Sequence, residues 1–250
     1  MTDPTNLGTI WVTGQRRAPG GSFPSGGGGG SGDPEGDHQA ELDADPDHTP
    51  PYSFNPCGNP AGRREWNTDA AAAQTVKDLE EFAGSEPATG GRGFNEREYG
   101  AALWERADGT VIRGPMRHSE QTFAEAAAAA ATGGTGKPTV DIDWTPPEPD
   151  LVPIGSVHSH GVGGTLPSGH RDFLQSDVGH LFGIAAQRNY LLGPGKGAEA
   201  RIYIASKTFG QYETPGSTKV NVYDETNIDA AIGGDEGPEV NPDGQPCGAP

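Results

Sequence analysis

Apolar positions along this chain change their period several times, and each change marks an element. Between Asp69 and Ala83 helix formers dominate and Val76, Leu79 and Ala83 share one face, so the spacing predicts a helix with Thr68 as N-cap and Gly84 at its end. A strand is expected over residues 98–106, then Asp108-Gly109 as a turn and a return over 110–113, together a hairpin. Ser119 would cap a second helix through the alanine run to Ala131, closed by Gly133-Gly134; alanine favours helix but offers little side chain to bury. Residues 151–158 are an apolar run bounded by proline and glycine, the mark of a buried strand. Val178, Leu181, Phe182 and Ala185 recur at i, i+3, i+4 and i+7, which predicts a third helix over 177–187. Strands are expected at 190–192 and 201–205, and a last one over 219–223.

Helix, hairpin, helix, strand, helix, strand, strand is an α/β (α+β) order: a mixed β-sheet covered by several helices. It divides the chain into a flexible acidic Gly/Pro-rich leader (1–60), a domain (61–230) and an acidic tail (231–250) expected to be disordered. The leader contains a short strand pattern at 9–13 and a Gly-Ser run at 25–32. Two readings of it stay open: a tether that lets the domain reach a target, carrier or secretion-system partner, or a disordered end without a specific role.

Charge sharpens this division. The chain carries 35 Asp and Glu against 17 Lys and Arg, a net charge of −18. Residues 33–47 and 224–243 each hold seven acids unopposed by any Arg, and removing those fourteen leaves about −4 on the rest. A solvating role for the acidic ends is the simpler reading and docking on a basic protein the sharper one. Nucleic acid as a partner is excluded by the lack of a basic patch to neutralise phosphates. No run of about eighteen apolar residues occurs, so no membrane span is expected, and no secretory signal peptide is readable at the start. Cytoplasmic residence and delivery by a signal-peptide-independent route both remain open. Cys57 and Cys247 each sit in a Pro-Cys-Gly context. Two separate thiols is the favoured reading, with a disulfide in an oxidising compartment as the alternative.

The chemistry is carried by Val157-His158-Ser159-His160-Gly161. Side chains on a strand alternate with period 2, so His158 and His160 point to one face, where two imidazoles are able to grip one cation. An acid from elsewhere would complete a zinc site with an open position for water. The nearest acids downstream are Asp172, in a loop, and Asp177, which opens the third helix and is favoured because a rigid element holds it. A His-x-His pair at a polar strand edge is the alternative to metal binding. His118 and His180 are expected at helix surfaces, and His170 in a loop. A nucleobase deaminase, whose fold is broadly similar, is disfavoured because there is no Cys-x-x-Cys ligand pair.

His158-Ser159-His160, a Gly/Ser-rich loop and a helix-opening aspartate resemble the JAB/MPN (JAMM) metallopeptidases, whose signature is His-x-His, a loop, Ser-x-x-Asp, and a glutamate on an earlier strand. Glu98-Tyr99-Gly100 and the stretch Tyr190 to Gly195 further resemble a bacterial subgroup found at the ends of Rhs-type toxin proteins. The resemblance covers roughly residues 68–209. It implies a JAB/MPN-like, cytidine-deaminase-like fold and a zinc-dependent hydrolase of peptide or isopeptide bonds in a protein or peptide substrate. His158, His160 and Asp177, or Asp172 in place of the last, would hold the zinc, and Glu98 would be the general base. Glu96 and Glu105 compete with Glu98 for that role.

One position departs from the signature. With Asp177 as ligand, Leu174 falls where the family keeps an oxyanion-stabilising serine, and leucine donates no hydrogen bond. Ser168 and Ser176 are the candidates to replace it. The departure also leaves open a non-catalytic interaction module of the same fold, or a toxin-associated effector domain.

Overall fold

The computed structural model describes residues 56–58, 60–85, 93–161, 164–168, 176–209, 215–240 and 246–247. The leader's strand pattern at 9–13, His38, His48, His170, Asp172 and Leu174 lie outside them. The described chain is a mixed α+β structure built on a mixed six-stranded sheet. Its elements are α1 (Pro60–Ser85), β1 (Tyr99–Glu105), β2 (Val111–Arg113), β3 (Arg117–His118), α2 (Phe123–Ala131), β4 (Val152–Ser159), α3 (Asp177–Leu192), β5 (Arg201–Phe209), β6 (Pro215–Tyr223) and α4 (Ile228–Gly233). No described helix is long and apolar enough to cross a membrane.

The strand order is β2-β1-β4-β5-β6, with β3 also pairing with β1. Only β4 and β5 run parallel; β1 is antiparallel to β2, β3 and β4, and β6 to β5. The expected hairpin is present, with Trp104 opposite Ile112 and Gly109 in the left-handed region at φ 79°. Its turn requires that conformation, which glycine adopts without steric cost.

Alternation along the strands sends side chains into two cores. On one face Val76, Leu79 and Ala83 of α1 pack against Tyr99, Leu103, Val157 and Tyr203. On the other, Val178, Leu181, Ile184 and Ala185 of α3 pack against Ala102, Trp104, Ile202 and Ile204. The apolar stripe read for the third helix is buried here, with Phe182 half-buried at its margin. Leu79 and Leu181 are fully buried, and each such side chain stabilises the fold by about 2 kcal/mol.

Several boundaries differ from the pattern-based expectation. Helix α1 begins at Pro60, so Thr68 is not its N-cap; its hydroxyl donates to Arg64 O inside the helix. The extra turns are held from outside, because Arg64 reaches Glu105 of β1 at 2.5 Å and Glu199 at 2.7 Å. The cap of α2 is Thr122, whose hydroxyl accepts from Glu125 N while the Glu125 carboxylate accepts from Thr122 N, a complete capping box. Ser119 instead donates to Gln121 O. Residues 190–192, expected as a strand, are the last turn of α3, where Tyr190, Leu191 and Leu192 are exposed.

Both ends of the domain also differ. Cys57 and Cys247 form a disulfide across 190 positions of sequence, which corrects the favoured reading of two separate thiols. Cys247 N donates to Asn67 Oδ1 of α1, and Arg63 donates to Cys57 O. Beyond residue 231 the chain is not free throughout: α4 runs to Gly233, Glu239 bridges to Asn221 of β6, and Val240 is buried in the α1-side core. The backbone hydrogen bonds Val222 N to Pro238 O and Val240 N to Val220 O explain the ordering, since they satisfy the outer edge of β6.

Candidate metal centre

Strand β4 lies in the interior of the sheet, between β1 and β5, and its last residues deliver the histidine pair. Val157 and Ser159 turn toward α1, where Ser159 Oγ accepts from Tyr99 N at 2.9 Å. His158 therefore faces α3. His160, one residue past the strand, is held in register by its own N–H donating to Ala205 O at 2.9 Å. Gly100 stands directly opposite His158 on β1.

Asp177 is the first residue of α3, behind the N-cap Ser176, whose Oγ accepts from Gly179 N at 3.1 Å. A carboxylate in a first helical turn is favoured by the unpaired N–H groups there. Asp177 Oδ2 also accepts from Ser168 N at 2.6 Å, so the carboxylate is fixed from two sides. Sequence and fold thus bring three candidate ligands of two types, imidazole and carboxylate, together. His158 Nε2 and His160 Nε2 stand 3.0 Å apart, Asp177 Oδ1 is 3.2 Å from the first and Asp177 Oδ2 3.4 Å from the second. One ligand atom from each residue lies within 4.8 Å of the others, and all three residues are buried. No protein-family profile, curated protein or solved structure matches this chain. The site must therefore be read from its own geometry.

The donor set suits a small divalent cation. Two imidazole nitrogens and one carboxylate converge, each offering a ligand atom close to the other two. Nitrogen and carboxylate oxygen ligands of this kind are those of catalytic zinc sites. Electrostatics agree with a convergent charge site. Burial alone would raise the carboxyl of Asp177, but the charge and hydrogen bonds of His158 and His160 hold it well below the usual carboxylate range. Burial would likewise lower His160, yet its hydrogen bond to Asp177 and the charges of Asp177 and Glu98 raise it. Both residues favour their charged forms through the other.

Glu98 precedes β1 by one residue. Continuing the β1–β4 ladder two residues beyond the Gly100–His158 pair sets it opposite His160, on the metal-centre face. It is buried, its Oε2 accepts from Val140 N at 3.2 Å, and its pKa is pushed up to about 8 by desolvation and by Asp177, against the lowering influence of His160 and the Val140 bond. Glu105, one of its competitors, is an ion-pair partner of Arg64 and Arg188 at the other end of β1. Glu96 is half-buried just after a 3-10 turn, and its backbone N–H closes that turn onto Gly93 O.

The two serines part ways. Ser176 Oγ is committed to capping α3, whereas Ser168 Oγ is buried without a partner while its own N–H grips the Asp177 carboxylate. His118 and His180 are not at helix surfaces. His118 belongs to β3, with its ring between Phe82 and Tyr99. His180 is fully buried beneath α3, with its ring edge-on to Trp144. The signal for it was its position three residues after Asp177, on the same helical face.

Proposed function

We propose that this chain is a zinc-dependent hydrolase of peptide or isopeptide bonds, of the JAB/MPN (JAMM) type. The observation that carries the reading is the convergence of His158 Nε2, His160 Nε2 and the Asp177 carboxylate at the end of an interior strand, with a buried glutamate one strand away.

His158, His160 and Asp177 would hold the ion, three protein ligands as catalytic zinc sites use. When bound, zinc supplies Lewis acidity, polarising a carbonyl and acidifying water at its open position. Glu98 would take and return a proton at its carboxylate, and a cation held beside it would lower a carboxyl that burial raises in the metal-free chain. Ser168 Oγ offers a hydroxyl donor beside Asp177, where the family's own serine position is taken by Leu174. Burial of His158 and Asp177 keeps bulk water from competing with these contacts.

Leu174 favours the second reading, a non-catalytic module of the same type that binds protein or peptide without cleaving it. Metal analysis of the purified chain beside His158→Ala tests the centre itself: one equivalent of zinc, lost in the variant, is expected. Glu98→Gln then separates the readings, since a hydrolase loses turnover of amide and isopeptide substrates and keeps its zinc. Substoichiometric metal unaltered by His158→Ala overturns both. Metal without turnover in the parent chain leaves the binding module.

A further inference from the structure

Beneath the histidine pair lies a buried titratable residue to which the proposed reaction gives no task. His180 follows Asp177 by three positions in α3, so both side chains leave the helix on one face. It is fully buried, its ring centroid is 4.7 Å from that of Trp144, and neither ring nitrogen has a hydrogen-bond partner. Burial without a partner disfavours the charged form of the ring. The ring is therefore neutral at physiological pH, with one N–H and one acceptor nitrogen. Burying such a ring unsatisfied costs stability relative to an apolar group of the same shape. Packing alone would be better served by leucine or phenylalanine.

His158 has the complementary need. Its Nε2 faces His160 and Asp177, while its Nδ1 is buried without a partner. A neutral histidine that presents Nε2 to a cation carries its proton on Nδ1, and an acceptor there fixes both tautomer and ring orientation. Ser156, whose hydroxyl is also unpartnered, shares the β4 face with His158. Two residues along a strand separate their backbones by about 7 Å, however, which is too far for a serine side chain. The imidazole of His180 comes instead from the helix that packs on that face.

We propose that His180 is a positioning residue of the metal centre, taking up the hydrogen bond of His158 Nδ1–H across one bridging water and so aiming His158 Nε2 at the cation. This rests on the reading of His158, His160 and Asp177 as metal ligands.

The test uses the full chain loaded with zinc, or with cobalt as a spectroscopic probe, and the variants His180→Leu, His180→Gln and Ser156→Ala. His180→Leu is expected to weaken zinc binding about 10- to 100-fold in a chelator competition. It should also shift the visible cobalt bands and leave the Tm of the metal-free chain equal or higher. His180→Gln, which restores a polar partner, should recover most of the affinity, and Ser156→Ala should retain it. Wild-type affinity and cobalt spectrum in His180→Leu, equal losses in the leucine and glutamine variants, or a loss carried by Ser156→Ala would each overturn the proposal. Stoichiometric zinc in the parent chain beside indifferent His180 variants sinks this role alone. Absence of specific zinc in the parent chain sinks the metal reading itself.

Discussion

Gly100 faces His158 across the β1–β4 ladder, and a Cβ at Gly100 would sit 3.2 Å from the His158 Cβ, 3.1 Å from Val157 O and 3.1 Å from Val140 Cγ1. The histidine is thus seated against bare backbone. Gly100→Ala crowds all three at once, one of them backbone, so it should cost about 1–3 kcal/mol of stability and weaken metal binding. Urea denaturation and a zinc titration check both, and wild-type values in the two together would mean that the strand pair absorbs the methyl group.

Ser168 and Ser176 should fail differently when truncated. Ser168→Ala is expected to lower turnover about 100-fold or more while keeping zinc, as loss of an oxyanion donor does. Ser176→Ala should cost about 1 kcal/mol of stability through loss of the α3 cap, with a smaller effect on turnover. Steady-state kinetics beside thermal melts separate the two, and the reverse pattern would transfer the role to Ser176.

Glu98 gives the metal-free chain a pH dependence of known sign. Its folded pKa of about 8 stands above the ordinary value of 4.5, so in between the folded state holds a proton that the unfolded state has released. Stability therefore falls as pH rises from about 4.5 to 8 and levels off above, by at most about 5 kcal/mol. In the presence of chelator, Glu98→Gln should abolish that slope and be the more stable chain at pH 8, with the difference closing toward pH 4.5. Parallel pH–stability curves for the two chains would contradict the buried placement of this carboxyl.

Reduction of Cys57–Cys247 should destabilise the fold without dismantling the metal centre. Releasing a loop of this length removes about 5 kcal/mol in the chain-entropy account. Denaturation with and without reductant, and with Cys57→Ser, measures it, while zinc content should stay at one equivalent. A thiol count of two in the non-reduced, denatured protein would show that the bond does not form.

How much of this was legible in the sequence follows from the range of the interactions. The period-2 spacing of His158 and His160 and the helix opening at Asp177 are local patterns, and the fold keeps them. The start of α1 was not legible because Pro60 and Gly62 interrupt an otherwise helix-compatible stretch that lacks an apolar stripe, and its turns are tied to distant partners, Arg64 on Glu105 and Glu199. Of Tyr190 to Leu192 only the tyrosine favours strand by residue type; Leu191 and Leu192 are good helix formers, and continuation of the α3 hydrogen bonding keeps all three helical although exposed. The pairing of Cys57 with Cys247 depends on the last described residues lying beside the start of α1, where Cys247 N bonds Asn67, which no local window contains. Thr122 is legible as a cap in the Thr-x-x-Glu spacing, whereas Ser119 stands three residues earlier and bonds Gln121 O instead.

An interior strand bonded on both edges has little freedom to reshape itself when an ion arrives. His158 on β4 is oriented by the ladders to β1 and β5, and His160 just beyond the strand by its bond to Ala205 O, so capture of the proposed cation should proceed without a folding step, unlike small zinc modules that collapse on chelation. If the centre holds a cation as proposed, such a cradle would discriminate among ions by size and preferred geometry and would not adapt to whichever arrives first.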